Sequence, residues 1–124
     1  MQVLVDSSVW IDFFRGGGNA AKFKFFLKEN VVVTNELILA ELIPRLKMTN
    51  QRKLMRLLGE IKKIDLKIDW EELIELQYKC LRKGINGICI PDLIIAQNAR
   101  QNECDIYSLD QHFNLMRKTL KLNL

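Results

Sequence analysis

Four carboxylates stand at places where one local pattern gives way to another. Asp6 follows the apolar run Val3-Leu4-Val5, and Asp110 follows Ile106-Tyr107-Ser108-Leu109. Asp92 stands beside Pro91 at a helix start, and Glu41 lies about two turns into the helix that follows Val31-Val32-Val33. Clustered anions repel, and grouping them is costly unless a cation neutralises them. The chain's only histidine is His112, and Cys80, Cys89 and Cys104 form no CxxC pair, so a histidine-rich or cysteine-based metal site is not expected. Any metal would be held by oxygen, which suits Mg²⁺ or Mn²⁺. Setting the four acids aside from the 15 leaves 11 against 19 bases, a net charge of +8 rather than +4. A basic body with one acidic spot suits metal-dependent phosphodiester chemistry. Bases hold the phosphates, acids hold the metal, and the metal activates water.

The elements that must position these acids follow from two alternating periods. Val3–Val5, Val31–Val33, the alternating Ile64, Leu66 and Ile68, and Ile106–Leu109 read as strands. Between them, Val9 to Phe14, Phe23 with Phe26 and Leu27, and the stripe Leu54, Leu57, Leu58 and Ile61 read as helices. Thr34-Asn35 starts the helix that carries Glu41, and Pro44 should kink or shorten it. Asp69 with Glu72 forms a capping box for a helix that ends at Gly84, Pro91-Asp92 opens the next, and Asp110 caps the last. Leu120, Leu122 and Leu124 alternate as an edge strand would. Strands alternating with helices imply an α/β sandwich around a mostly parallel sheet. In such a sheet, ligands gather at the carboxyl ends of the strands. All four acids can reach that rim.

Composition narrows the class. At 124 residues with 48% hydrophobic and 27% charged residues, one domain is expected, with no repeat or linker. The opening lacks a basic n-region, and no stretch approaches the ~18 apolar residues of a membrane span. A cytoplasmic protein without a membrane segment is the expectation. Each acid also has a plainer explanation. Asp6, Asp92 and Asp110 sit where acids cap helices and complement the macrodipole. Glu41 has no capping role and would otherwise be solvated.

The surroundings of the four acids carry a resemblance. Val5-Asp6-Ser7-Ser8-Val9-Trp10-Ile11-Asp12 resembles the opening motif of PIN-domain nucleases, in particular the VapC toxins of prokaryotic toxin–antitoxin pairs. Leu39-Ala40-Glu41-Leu42 resembles the second acidic motif, and the segment from Gly87 through Pro91-Asp92 to Ala96 the third. Tyr107-Ser108-Leu109-Asp110-Gln111-His112-Phe113 resembles the fourth. The motifs occur in the family's order and spacing over essentially the whole chain. The resemblance implies a PIN-like three-layer sandwich with a central sheet of four or five strands. It also implies a Mg²⁺- or Mn²⁺-dependent endoribonuclease. Asp6, Glu41, Asp92 and Asp110 then form the acidic tetrad. Asp6 and Asp92 would bind metal directly, while Glu41 and Asp110 act through water or a second ion. Ser7 or Ser8 would orient a ligand or the attacking water. The implied partners are an RNA substrate, an antitoxin that wraps the toxin, and a second copy of the chain.

Two departures stand out: Pro44-Arg45 where the family often has glycine four residues after the second acid, and the run Gly16–Gly18. That run reads as an exposed loop or a mobile entrance, and it lacks the Lys-Ser/Thr of a P-loop. Lys22, Lys24 and Lys28 are candidates for tracking an RNA backbone, or a solvated face. Trp10 either stacks a base or belongs to the core. His112 either donates to a phosphate or faces solvent. Phe23, Phe26 and Leu27 fit an antitoxin groove or the core equally, and the cysteines read as small buried hydrophobes. Two competing functions are a PIN-like module that binds RNA or protein without cutting, and a phosphoacceptor domain of receiver type. The second lacks the acidic pair after the first strand and a lysine after the last.

Overall fold

The structure, a computed structural model, describes residues 1–120. In chain order they form β1 (Val3–Val5), α1 (Ser7–Phe14), α2 (Ala20–Lys28), β2 (Val32–Thr34), α3 (Glu36–Met48) and α4 (Arg52–Glu60). Then come β3 (Lys62–Lys63), α5 (Trp70–Arg82), α6 (Ile90–Gln101), β4 (Asp105–Tyr107) and α7 (Gln111–Leu120). The four strands make one sheet of order β3-β2-β1-β4, and every pairing is parallel. The expected α/β sandwich with a parallel four-stranded sheet is therefore what the chain adopts. A parallel sheet is covered on both faces, which is why β1 is a continuous apolar run rather than an alternating one. Val3, Leu4 and Val5 are all buried. At the far edge, β3 is two exposed lysines, a short charged strand that resists pairing with another chain.

Strand order decides where the site lies. From β1 the chain adds β2 and β3 on one side, then returns to place β4 on the other side of β1. The order reverses between β1 and β4, so a crevice opens at their carboxyl ends. Val5 is paired with Tyr107 there, and the Asp6 N–H continues the ladder to the Tyr107 carbonyl at 2.9 Å. The segments that follow β1 and β4 thus leave the sheet side by side.

Three sequence expectations are corrected. The strand expected through Ile64, Leu66 and Ile68 does not form. Only Lys62–Lys63 pair with β2, and Ile64 adds one bond to the Thr34 carbonyl at 2.9 Å. Beyond it, side chains of α6 take over the backbone. Asn98 Nδ2 donates to the Asp65 carbonyl (2.7 Å), and Gln97 both accepts from the Asp69 N–H (3.0 Å) and donates to the Asp69 carbonyl (3.1 Å). The Asp69 capping box is half made. Asp69 accepts from the Glu72 N–H at 3.1 Å, but the Glu72 carboxylate turns to Gln97 and Arg100. Finally, of the kink or shortening expected at Pro44, the shortening does not occur: α3 runs through it to Met48. Proline removes the bond to the Ala40 carbonyl, and both residues are exposed, so water can take its place. The edge strand expected through Leu122 and Leu124 lies outside the described residues.

The core sits between the helices and the sheet. Trp10 and Phe23 meet edge to face at 4.7 Å, Phe23 stacks on Phe13 at 4.9 Å, and Trp10 is fully buried. Trp10 is therefore core. Helix α6 is buried continuously from Leu93 to Ala99, including Gln97 and Asn98. Asn98 accepts from Asn35 Nδ2 at 2.9 Å, and Asn35 Oδ1 caps α3 through the Ile38 N–H at 2.8 Å. A buried amide whose partners are all satisfied fixes relative positions, and removing one member strands the others. We expect Asn98→Ala to cost roughly 2–4 kcal/mol, because Asn35 and the Asp65 carbonyl lose their partner together. Urea denaturation checks this, and a loss below about 0.5 kcal/mol contradicts it.

Candidate metal centre

Asp6 is only 6% exposed, at the turn from β1 into α1. Two hydroxyls hold its Oδ2: Ser8 Oγ at 2.9 Å and Ser108 Oγ at 2.8 Å. Each hydroxyl in turn accepts a backbone N–H from the segment after β4. Leu109 N donates to Ser8 Oγ and Asp110 N to Ser108 Oγ, both at 3.0 Å. Each hydroxyl thus accepts one N–H and can donate to Asp6, and the two hydroxyl oxygens lie 3.3 Å apart. Ser8 is one of the two serines singled out from the sequence. Ser7 stands one residue earlier on α1, and among the described residues its hydroxyl has no such partner. Ser108 was not singled out as a site residue, although it lies two residues before Asp110.

Asp92 occupies the first turn of α6, behind the capping residue Cys89. Its Oδ2 accepts from the Cys89 thiol at 3.1 Å and weakly from the Cys89 N–H at 3.4 Å. Cys80 and Cys104 are buried as expected, but Cys89 is exposed. Asp110 caps α7, its Oδ1 accepting the His112 N–H at 2.9 Å. The His112 ring lies between the two acids. Its Nδ1 is 3.3 Å from Asp110 Oδ1 and 3.7 Å from Asp92 Oδ2. Ligand-type atoms of Asp92, Asp110 and His112 all fall within 4.8 Å of one another. Neither sequence option for His112, a phosphate donor or a solvent-facing residue, anticipated a place between two carboxylates. The signal available was its spacing, two residues after an acid that opens a helix.

Glu41 completes the group electrostatically. Glu41 is exposed overall, yet partial burial raises its pKa above the ordinary 4.5, and the negative charges of Asp6 and Asp92 raise it further. Arg45, one turn along α3, works in the opposite direction. Glu41 therefore feels both Asp6 and Asp92, and Ser108 ties Asp6 to the backbone of Asp110. The four acids share one rim. The tightest group is Asp92, Asp110 and His112, whereas Asp6, expected to bind directly, is engaged with two serines. The lysine and arginine ion pairs among the described residues, Lys63–Glu36 and Arg100–Glu72, lie elsewhere. A donor set of carboxylate oxygens with one imidazole nitrogen, and no lysine or arginine ion pair to these acids among the described residues, fits a divalent cation.

Around this rim, the residues considered for RNA separate. Lys22 lies over the Tyr107 ring at 4.7 Å and the Phe26 ring at 5.8 Å, close to the end of β4. Lys24 and Lys28 are exposed elsewhere on α2. Phe23 is core, and Phe26 and Leu27 pack partly buried against it. The Gly16–Gly18 run is a built turn. Gly17 N–H donates to the Asp12 carbonyl at 2.9 Å, and a Cβ on Gly17 would run into the Asp12 carboxylate.

The PIN domain family model matches residues 3–118, so the chain belongs to the PIN domain family. Proteins of this family are typically metal-dependent nucleases, a function that the acidic rim accommodates. Among curated proteins, none matches the chain.

The raised Glu41 pKa has a testable sign. Its charged form is disfavoured in the folded, metal-free protein, so the associated stability is present below pH 4.5 and lost as pH rises through the raised value. In EDTA at pH 7, we expect Glu41→Gln to melt at a higher temperature than the unaltered protein, with the gap closing toward pH 4. Saturating Mn²⁺ should reverse the order. Equal melting temperatures across the pH range would contradict the shared acidic rim.

Proposed function

We propose that this protein is a metal-dependent endoribonuclease that acts as the toxin of a toxin–antitoxin pair. The observation that carries the nuclease part is the group of Asp92, Asp110 and His112 at the β1/β4 crevice, with Asp6 and Glu41 linked to it and no lysine or arginine ion pair to these acids among the described residues. A Mg²⁺ or Mn²⁺ ion, when bound, supplies water activation and charge stabilisation at the phosphate oxygens. The chain's own residues do the rest. Asp92 and Asp110 would hold the cation, with the Glu41 charge on α3 adding to the anionic field there. Asp6, whose Oδ2 is fixed by Ser8 and Ser108, has its other oxygen free, among the described residues, for a ligand or a water. Lys22, above Tyr107, would meet an RNA backbone approaching from the β4 side, whereas Lys24, two residues on along α2, faces another way and could only contact RNA that wraps the helix.

The toxin role, the antitoxin and a homodimer follow from the likeness of the four motifs to VapC toxins. No helix among the described residues is long and apolar enough to cross a membrane. The antitoxin would insert into the acidic site and silence it.

The test uses protein freed of any co-purifying partner, incubated with total RNA and with structured tRNA in Mg²⁺, Mn²⁺ or EDTA. We expect discrete fragments that require the metal, and we expect Asp92→Asn to reduce cleavage to background while its circular dichroism spectrum is unchanged. Tight, salt-sensitive RNA binding without cleavage would instead favour a non-cutting module. Full cleavage by Asp92→Asn would contradict the site.

A further inference from the structure

We propose that His112 supplies its Nδ1 as a nitrogen ligand to the divalent cation held by Asp92 and Asp110, and that this biases the centre toward Mn²⁺ over Mg²⁺. This rests on the metal-centre reading above and adds the nature of one ligand. Donors bound at about 2.1 Å and at right angles on one ion lie about 3.0 Å apart. Nδ1 is 3.3 Å from Asp110 Oδ1 and 3.7 Å from Asp92 Oδ2, close to that edge length on both sides. The ring is also placed rather than loose. Its backbone N–H is tied to the Asp110 carboxylate at 2.9 Å. On the other side it lies against Gly87, whose positive φ of 87° suits glycine and where an added Cβ would sit 3.4 Å from Nε2. The face carrying Nε2 is thus turned to the loop before α6, and Nδ1 to the acids.

An imidazole donor changes the choice of metal. Mg²⁺ takes oxygen ligands and retains its water, whereas imidazole is a better partner for later and softer first-row ions. One nitrogen among carboxylates leaves Mg²⁺ binding nearly untouched and strengthens Mn²⁺ binding. His112 is then a determinant of metal preference in a site otherwise built from oxygen.

The chain has one histidine, which makes the test specific. Untagged protein is prepared with ¹⁵N-labelled histidine in an otherwise ¹⁴N background and loaded with sub-stoichiometric Mn²⁺. Pulsed electron paramagnetic resonance then reads nitrogen coupling to the bound ion. We expect a directly coordinated nitrogen in unlabelled protein that changes to the ¹⁵N pattern on labelling and disappears in His112→Gln. In parallel titrations, His112→Gln should bind Mn²⁺ about tenfold more weakly and Mg²⁺ within about twofold of the unaltered protein. Bound Mn²⁺ with no histidine coupling would overturn the proposal and leave the metal centre standing. No bound Mn²⁺ would overturn both.

Discussion

Mutual repulsion of carboxylates at the end of β1 and β4 is the constraint to which the rest of the molecule answers. Gathering acids on a rim is costly, and Glu41 shows it: burial first, then the charges of Asp6 and Asp92, push its pKa up. The fold holds them there by means that do not neutralise them. Ser8 and Ser108 give Asp6 two protons while drawing their own orientation from the Leu109 and Asp110 N–H groups. Asp92 and Asp110 each double as residues of a helix start, where the macrodipole favours an anion. These contacts soften the repulsion without cancelling charge, so the site remains attractive to a cation.

Rigidity behind the rim comes from polar groups buried inside an apolar core. Helix α6 carries Asp92 at its start, and Gln97 and Asn98 in its buried stretch. Those two amides hold the segment at 65–69, and Asn98 also holds the cap of α3, the helix that bears Glu41. Through Asn35 and Asn98, α3 and α6 are locked to each other. Two acids from distant parts of the chain therefore keep a set spacing. The same bonds replace the sheet ladder that β3 does not extend, so one network serves both the architecture and the site.

Much of this was legible before any coordinates. The continuous run Val3–Val5 marks a central parallel strand because both its faces are covered, and the acids at strand ends mark the rim. The helix caps at Asn35, Asp69 and Asp110 are local chemistry and are found where the residue types place them. Non-local facts were not legible. Ser108 stands beside Asp6 only because Val5 pairs with Tyr107, a register that no local pattern encodes. His112 belongs with Asp92 only because α6 and α7 begin at the same crevice. Alternation at Ile64, Leu66 and Ile68 suggested a strand. Side-chain amides on a distant helix satisfy that backbone instead, while the apolar residues pack as they would in a sheet.

The central claim is that the acids after β1, on α3, in the first turn of α6 and after β4 form one cation site. Crystals grown in chelator and soaked in Mn²⁺ test it most directly, using the anomalous signal of the ion. The account predicts a strong peak between the Asp92 and Asp110 carboxylates, on the side facing Glu41 and Asp6, and its absence in Asp92→Asn. A fully soaked crystal with no peak at that rim, or with its only peak elsewhere on the surface, would contradict it.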